Sequence, residues 1–597
     1  MKKLVAALAL STAMIAAPAS AQVKVEFGAE SNSPAVKAFE ELREEIWEWT
    51  LDNSPFLSTS IGDRRGDGKL GDLSLEAYER QIAESETFLA RLNAVPRSEL
   101  PADMLVDVAI LKRSLSDNIA SAQFDHSRYV LFTNRGGWFS GFASIPYRSP
   151  FFTKGDYESY VSRLEGFAGI NQAGIARTRE AVSRGLTQAC EPMEGFAERI
   201  EKQIYEDAEK SPFWRPFAER PGSVSEDEWR VLTDRARIAL DQSIFPAYQE
   251  FADFYRAEYA PKCRDGIPGL LATPRGAEYY EQRVRSYTTT DMTSDEIHNL
   301  GLSEVARIRS EMVEVAKGAG FESREAFIEH LRTDPQYYAK TPEELMMAAG
   351  ALAKHIDGFM PKLFGTLPRQ PYTVLPIPAA TAPGNTTAYY EPGSLATGQP
   401  GIYRVNTTEL DQRPLWELPA LGVHEAVPGH HHQIALQQEL DIHPLRANGT
   451  FFTAFVEGWG LYSERLGIEM ELYDTPAKEM GRLSYEMWRA TRLVVDTGLH
   501  AKGWSKQRAV DYMLDNTALT AANVDAEVNR YITNPGQALA YKIGELKIRE
   551  LRERASSELG AEFDLRAFHD AVLENGSVPL DVLEQHIDRW IESVKQG

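Results

Sequence analysis

The chain has 597 residues, 43% hydrophobic and 25% charged, a balance that excludes a disordered chain, a collagen or a coiled-coil rod and implies a large buried core. Its 64 Lys and Arg face 87 Asp and Glu, so the net charge of −23 repels phosphate backbones and argues against a nucleic-acid partner. It shows no internal repeat and no low-complexity tract.

The N-terminus reads as a targeting segment. Lys2 and Lys3 precede an apolar stretch over residues 4–17, and Ala19-Ser20-Ala21 supplies small residues for cleavage, giving a signal peptide over 1–21. The apolar run is short for a membrane span and no Cys follows it, so no membrane anchor is expected after cleavage, an uncleaved anchor being the alternative. The expected location is periplasmic or secreted.

Apolar residues at three- and four-residue steps then predict helices over 40–49, 78–92, 157–182, 227–254 and 296–315, the last opened by the start signal Thr293-Ser294-Asp295-Glu296. Residues 131–152 gather Phe132, Trp138, Phe139, Phe142, Tyr147, Phe151 and Phe152. Such a cluster either lines a substrate cleft or, more commonly, packs on the core. The sequence has two cysteines, Cys190 and Cys263, both at loop edges; export allows a disulfide between them, with two buried thiols as the alternative. The Pro- and Gly-rich stretches 211–225 and 263–276 are connections rather than long linkers. The expectation is an N-terminal helical lobe over 22–290 and a catalytic lobe over 291–597 within one integrated structure.

Strand-like sequence is confined to 372–376, 388–390 and 402–406, separated by Pro and Gly. Helical patterns resume over 451–472, 482–499, 537–551 and 580–594. The fold class expected is mostly α with one small sheet.

The segment Gly422-Val423-His424-Glu425-Ala426-Val427-Pro428-Gly429-His430-His431-His432-Gln433 holds four of the chain's 12 histidines. A His followed by Glu, with another His about a turn later, is the pattern by which a zinc hydrolase binds metal through two imidazoles and sets a carboxylate beside the water it activates. Here Pro428 stands where the usual second His would be. It lacks the N–H that would bond the carbonyl of His424, so the helix must bulge or break, and looping out about two residues brings His430 into place. His431 and His432 then turn toward the cleft or the outer shell. Glu457, bracketed by Phe455 and Trp459, needs a cation to be buried and is the expected third ligand. Glu464, seven residues on along the same face, is the rival ligand or an outer partner. Glu425 is the expected general base.

Arg492, Asp496 and His500 step by four along one helical face, with Arg489 nearby. Asp496 is a candidate to accept the second N–H of a zinc-bound imidazole, and His500 to reach a substrate carbonyl or carboxylate. The other reading of this face is an intrahelical ladder of charges. Tyr531 and Tyr541 are candidate donors to a developing oxyanion.

Together, His424-Glu425-Ala426 with Pro428-Gly429-His430-His431, Phe455 with Glu457-Gly458-Trp459-Gly460-Leu461-Tyr462, Asp496-Thr497-Gly498-Leu499-His500 and Pro535-Gly536-Gln537-Ala538 with Tyr541 resemble the bacterial family called "domain of unknown function 885". The resemblance covers most of the mature chain. It implies a mostly helical zinc peptidase related to the gluzincins, similar to the thimet-oligopeptidase and Taq-carboxypeptidase group, with two helical lobes around a deep cleft. In those relatives a small sheet lies beside the metal and its edge strand holds an extended peptide; here residues 401–406, including Tyr403 and Asn406, would take that role by strand addition. The function expected is an exported zinc metallopeptidase acting on oligopeptides. The rival readings are a zinc hydrolase of another amide or ester and a silent peptide-binding protein, against which the intact Glu425 argues. No Gly-x-Ser-x-Gly nucleophile motif is present.

Overall fold

A computed structural model describes residues 33–378, 382, 386–394 and 398–596. The signal peptide expected over 1–21 lies outside them. The described chain is mostly α, and its helices follow the apolar periodicity closely: Pro34–Asn53, Leu75–Ala94, Lys154–Ser183, Ser294–Gly318, Thr453–Leu466, Pro476–Ala501, Ala540–Leu559 and Leu580–Gln596. Local chemistry starts them where it should. At Thr293 the side chain accepts from the backbone of Glu296 while the Glu296 carboxylate accepts from the backbone N–H of Thr293 at 2.8 Å, a reciprocal cap. Thr475 caps Pro476–Ala501 in the same half of the chain, with Pro476 at the first helical position.

That last helix is the axis of the C-terminal half. From Met480 to His500 every side chain is buried, Arg482, Arg489, Arg492 and Asp496 among them. Thr453–Leu466 and Ala540–Leu559 meet at a contact only glycines permit: a Cβ on Gly458 would fall 2.5 Å from the Cα of Gly544, and one on Gly544 would fall 1.8 Å from the carbonyl oxygen of Ala454. This close approach fixes the helix that carries Glu457 and Glu464.

The N-terminal half has its own aromatic core. Phe132, Phe139 and Phe142 are buried with Phe167, Phe196, Tyr248 and Phe251, so this part of the 131–152 stretch packs inward. Farther along, Val106, Ile110, Tyr280 and Val284 join the same apolar cluster as Phe455, Trp459 and Leu539, so the two halves share buried surface. Cys190 and Cys263 form a disulfide with Cα atoms 5.0 Å apart. Backbone hydrogen bonds between Cys190 and Arg264 and between Arg264 and Gln188, each 3.0 Å, hold the two loop edges side by side.

The three strands are β1 (Tyr372–Pro376), β2 (Ala388–Glu391) and β3 (Gly401–Val405), in the order β1-β3-β2. β3 pairs in parallel with β1 and antiparallel with β2. It is therefore the central strand, and the edge role expected for residues 401–406 is corrected: both sides of its backbone are already bonded, leaving no free ladder for a peptide. Tyr403 is buried, and Asn406 gives its side-chain N–H groups to the carbonyls of Ala382 and Thr386. Among the described residues no helix is long and apolar enough to cross a membrane.

Candidate metal centre

Two short helices meet at the histidine segment. Leu418–Glu425 ends with His424 in its last turn, and His430–Glu439 begins at His430. Pro428 sits in the break because it cannot donate to the carbonyl of His424. Gly429 follows because nothing larger fits: a Cβ there would lie 1.9 Å from the carbonyl oxygen of His424. The indole N–H of Trp459 donates to the carbonyl of Pro428 at 2.8 Å and pins the break to the Glu457 helix. The outcome is that His424 and His430 face one another, ring centroids 4.7 Å apart and planes at 86°.

Glu457 completes the group. Its Oε2 lies 3.7 Å from Nε2 of His424 and 3.4 Å from Nε2 of His430. The three ligand atoms fall within 4.8 Å of one another, the one such cluster of His, Cys, Asp and Glu among the described residues. Glu464, two turns along the same helix, reaches the other nitrogen of the same ring: Nδ1 of His424 donates to its Oε1 at 2.8 Å. That bond places the Nε2 lone pair of His424 toward Glu457 and His430, as a metal ligand requires. Arg489 approaches the same Glu464 oxygen at 3.0 Å. Gly460 makes room for the ring, since a Cβ there would be 2.8 Å from Cε1 of His424.

The electrostatics fit a cation. Burial acts to lower the pKa of His424, but its bonds to Glu457 and Glu464 outweigh burial and raise it to about 9. Burial alone would raise the Glu457 carboxyl; the two histidines hold it well below the usual range instead. A site that stabilises positive charge on imidazole, with two ring nitrogens and a carboxylate oxygen converging, suits a borderline divalent ion. Glu425 stands beside His424 on the wall of a cavity of about 410 Å³, which Tyr389, Trp488, Arg489, Arg492 and Tyr541 also line.

Other expected site residues are placed elsewhere. Asp496 does not touch a metal-ligand histidine; it accepts from the phenol of Tyr280 at 2.5 Å and the backbone of Gly536 at 3.0 Å. Burial first, only partly offset by those bonds, raises its pKa to about 7. His500 uses both nitrogens on backbone, accepting from Leu270 and donating to the carbonyl of Tyr531 at 2.9 Å, so it reaches no substrate. Tyr531 is enclosed by Trp488, Arg492 and Glu527, whereas Tyr541 lines the cavity. His431 accepts from Tyr390 and donates to the carbonyl of Gln370, tying its helix to the sheet rather than to the ligands. His432 packs in the core, 4.3 Å from the ring of Phe364. The i to i+4 face seen in the sequence is real, but Asp496 and His500 on it meet Tyr280, while Arg492 lines the cavity beside the histidines.

Sequence reasoning missed Glu527, which accepts from Tyr531, Arg492, Arg530 and Arg135. The available signal was its place on the apolar face of Val524, Val528 and Tyr531, where a carboxylate needs cationic partners.

A mostly α protein with a buried His-His-Glu candidate metal centre is thus defined by fold and site. The family described as "Bacterial protein of unknown function (DUF885)" matches residues 55–587, and the chain belongs to it. A solved structure from Colwellia psychrerythraea, provisionally named a lipoprotein, is similar at a TM-score of 0.88 with 26% identity, covering 94% of this chain and 100% of that one. A second, from Shewanella oneidensis and provisionally named a lipoprotein of unknown function, has a TM-score of 0.69, 20% identity and coverage of 92% and 99%, a likeness of fold. No curated protein matches the sequence.

Proposed function

We propose that the protein is an exported zinc metallopeptidase hydrolysing oligopeptides, with residues 22–290 and 291–597 as two lobes flanking the site. The observation that carries the reading is the convergence of His424, His430 and Glu457 with Glu425 beside them on an open cavity wall. A divalent ion on that ligand set supplies Lewis acidity, polarising a carbonyl and acidifying water. Glu425 takes the proton of the attacking water and passes it to the leaving amine. Tyr541, the tyrosine of the late pair that lines the cavity, would donate to the developing oxyanion. Glu464 holds His424 in the ligating tautomer and Arg489 holds Glu464. The disulfide supports an oxidising compartment.

The test is mass spectrometry of a diverse peptide mixture incubated with zinc-loaded protein, with and without chelator. Peptide products that vanish with chelator and return with zinc support the reading. An unchanged mixture under both conditions, or cleavage confined to esters and non-peptide amides, contradicts it.

A further inference from the structure

The cavity at the metal centre carries more positive charge than hydrolysis uses. Arg135, Arg489, Arg492 and Arg530 all line it. Three of them have evident assignments. Arg489 backs Glu464 at 3.0 Å, Arg530 grips Glu527 through Nε and Nη2 at 3.3 and 2.7 Å, and Arg135 reaches the same carboxylate at 3.0 Å. Arg492 differs. Its Nε donates to Tyr531 at 2.9 Å and its Nη2 to Glu527 at 3.1 Å, but its buried Nη1 has no acceptor, in a residue only 3% exposed. A buried, charged donor left unpaired is costly, and a bound anion removes that cost. Glu527 cannot supply that acceptor, since it already serves Arg135, Arg492 and Arg530. Three guanidiniums against one carboxylate leave this wall positive.

Position adds to charge. The guanidinium of Arg492 lies 4.3 Å from the ring centroid of Tyr541. Tyr541 shares the cavity with His424, His430 and Glu457. The guanidinium of Arg492 and the ligand set thus line one cavity. The cavity, about 410 Å³, is near the small end of the roughly 300–1,000 Å³ usual for small-ligand sites, which suits the end of a peptide better than its middle.

We infer that Arg492 is the anchor for the α-carboxylate of the substrate, so that the enzyme acts at free peptide C-termini. This rests on the metallopeptidase reading and adds the end of the peptide on which it acts. Each turnover breaks one C–N bond and forms one C–O bond from water; the released amine carries the proton delivered by Glu425, and Arg492 changes no bond.

The experiment compares trialanine, its C-terminal amide, and an amide of the same length with a glutamate side chain. Binding to zinc-loaded Glu425→Gln protein is measured by calorimetry, and cleavage by zinc-loaded wild type is measured by mass spectrometry. The free acid is expected to bind about 10- to 100-fold more tightly than the amide, the range for a hydrogen bond to a charged group. Cleavage of the acid shows the same preference in kcat/KM. Adding Arg492→Gln should abolish the acid–amide difference while leaving the weak binding of the amide where it was, a pattern that general loss of structure does not give; Arg492→Lys should restore part of it. Should the Gln variant fail to fold, the acid–amide comparison on the unaltered arginine still decides. Equal binding of acid and amide overturns the inference, and so does a glutamate-bearing amide that matches the free acid. Selective binding without cleavage upholds the anchor and overturns the hydrolase reading. Cleavage of the amide as fast as the acid upholds the hydrolase and overturns the anchor. No binding of any of the three overturns both.

Discussion

Single residues divide the chemistry between charge and space. In the proposed reaction Glu425 is the base and not a ligand, so Glu425→Gln is expected to keep its metal and lose about 10²- to 10⁴-fold in kcat, measured on any peptide the wild type cleaves. Near-normal turnover in metal-loaded variant would move the base elsewhere. Glu464 acts through the ring it orients: Glu464→Gln should weaken zinc about 10- to 100-fold in a competition titration with a chromogenic chelator. Gly460→Ala should weaken it too, without altering any charge, because the added methyl meets the His424 ring at 2.8 Å. The ligands were legible because their spacing is local: a Pro at 428 dictates a break, and the break selects His430 over His431. Asp496 and His500 were misread because their spacing says only that they share a helical face. What that face meets, Tyr280 and the backbone of Leu270, comes from chain more than 200 residues earlier.

Among elements, the helices predicted from the sequence lie close to their observed positions, since 3.6-residue periodicity and caps such as Thr293 and Glu296 are written locally, whereas Ala102–Ser121, Gly276–Thr288, Pro342–Asp357 and Ala521–Thr533 were among those not predicted. The three strands were also found close to their observed positions. Their order was not, because which strand lies between the others is decided by pairing across distant sequence; β3 is last in the chain and central in the sheet. The helix break makes a prediction of its own. Among single Ala variants at 424, 430, 431 and 432, zinc should be lost at 424 and 430 and kept at 431 and 432, by elemental analysis of dialysed protein. Loss at 431 with retention at 430 would show that the break does not set the ligands. The disulfide spans 73 residues, so removing it as a Cys190→Ala and Cys263→Ala pair should cost about 4 kcal/mol in the chain-entropy account, read from urea unfolding.

At the scale of the whole molecule, burial of imidazoles sets the response to acid. Burial lowers the pKa of His126, His431 and His500 to about 4 and of His432 and His569 to about 3. A histidine whose folded pKa is depressed contributes stability that is present above its unfolded value near 6.5 and lost as pH falls toward the folded value. Burial has the opposite consequence for Glu417 and Asp496, each raised to about 7, which favour the folded state as pH falls. These depressed histidines outnumber the two raised carboxyls, so the unfolded chain binds more protons between roughly pH 4.5 and 6, stability there should rise with pH, and the urea midpoint at pH 5 is expected below that at pH 7. A flat or inverted dependence would mean that these rings are not buried neutral.

The functional reading rests on the candidate cation site, and its occupancy is the most direct thing to measure. Inductively coupled plasma mass spectrometry on protein expressed with zinc and dialysed should find about one zinc per chain in wild type. It should find none in His424→Ala and an undiminished amount in Glu425→Gln. Wild type without bound metal, or His424→Ala with as much zinc as wild type, would contradict the account.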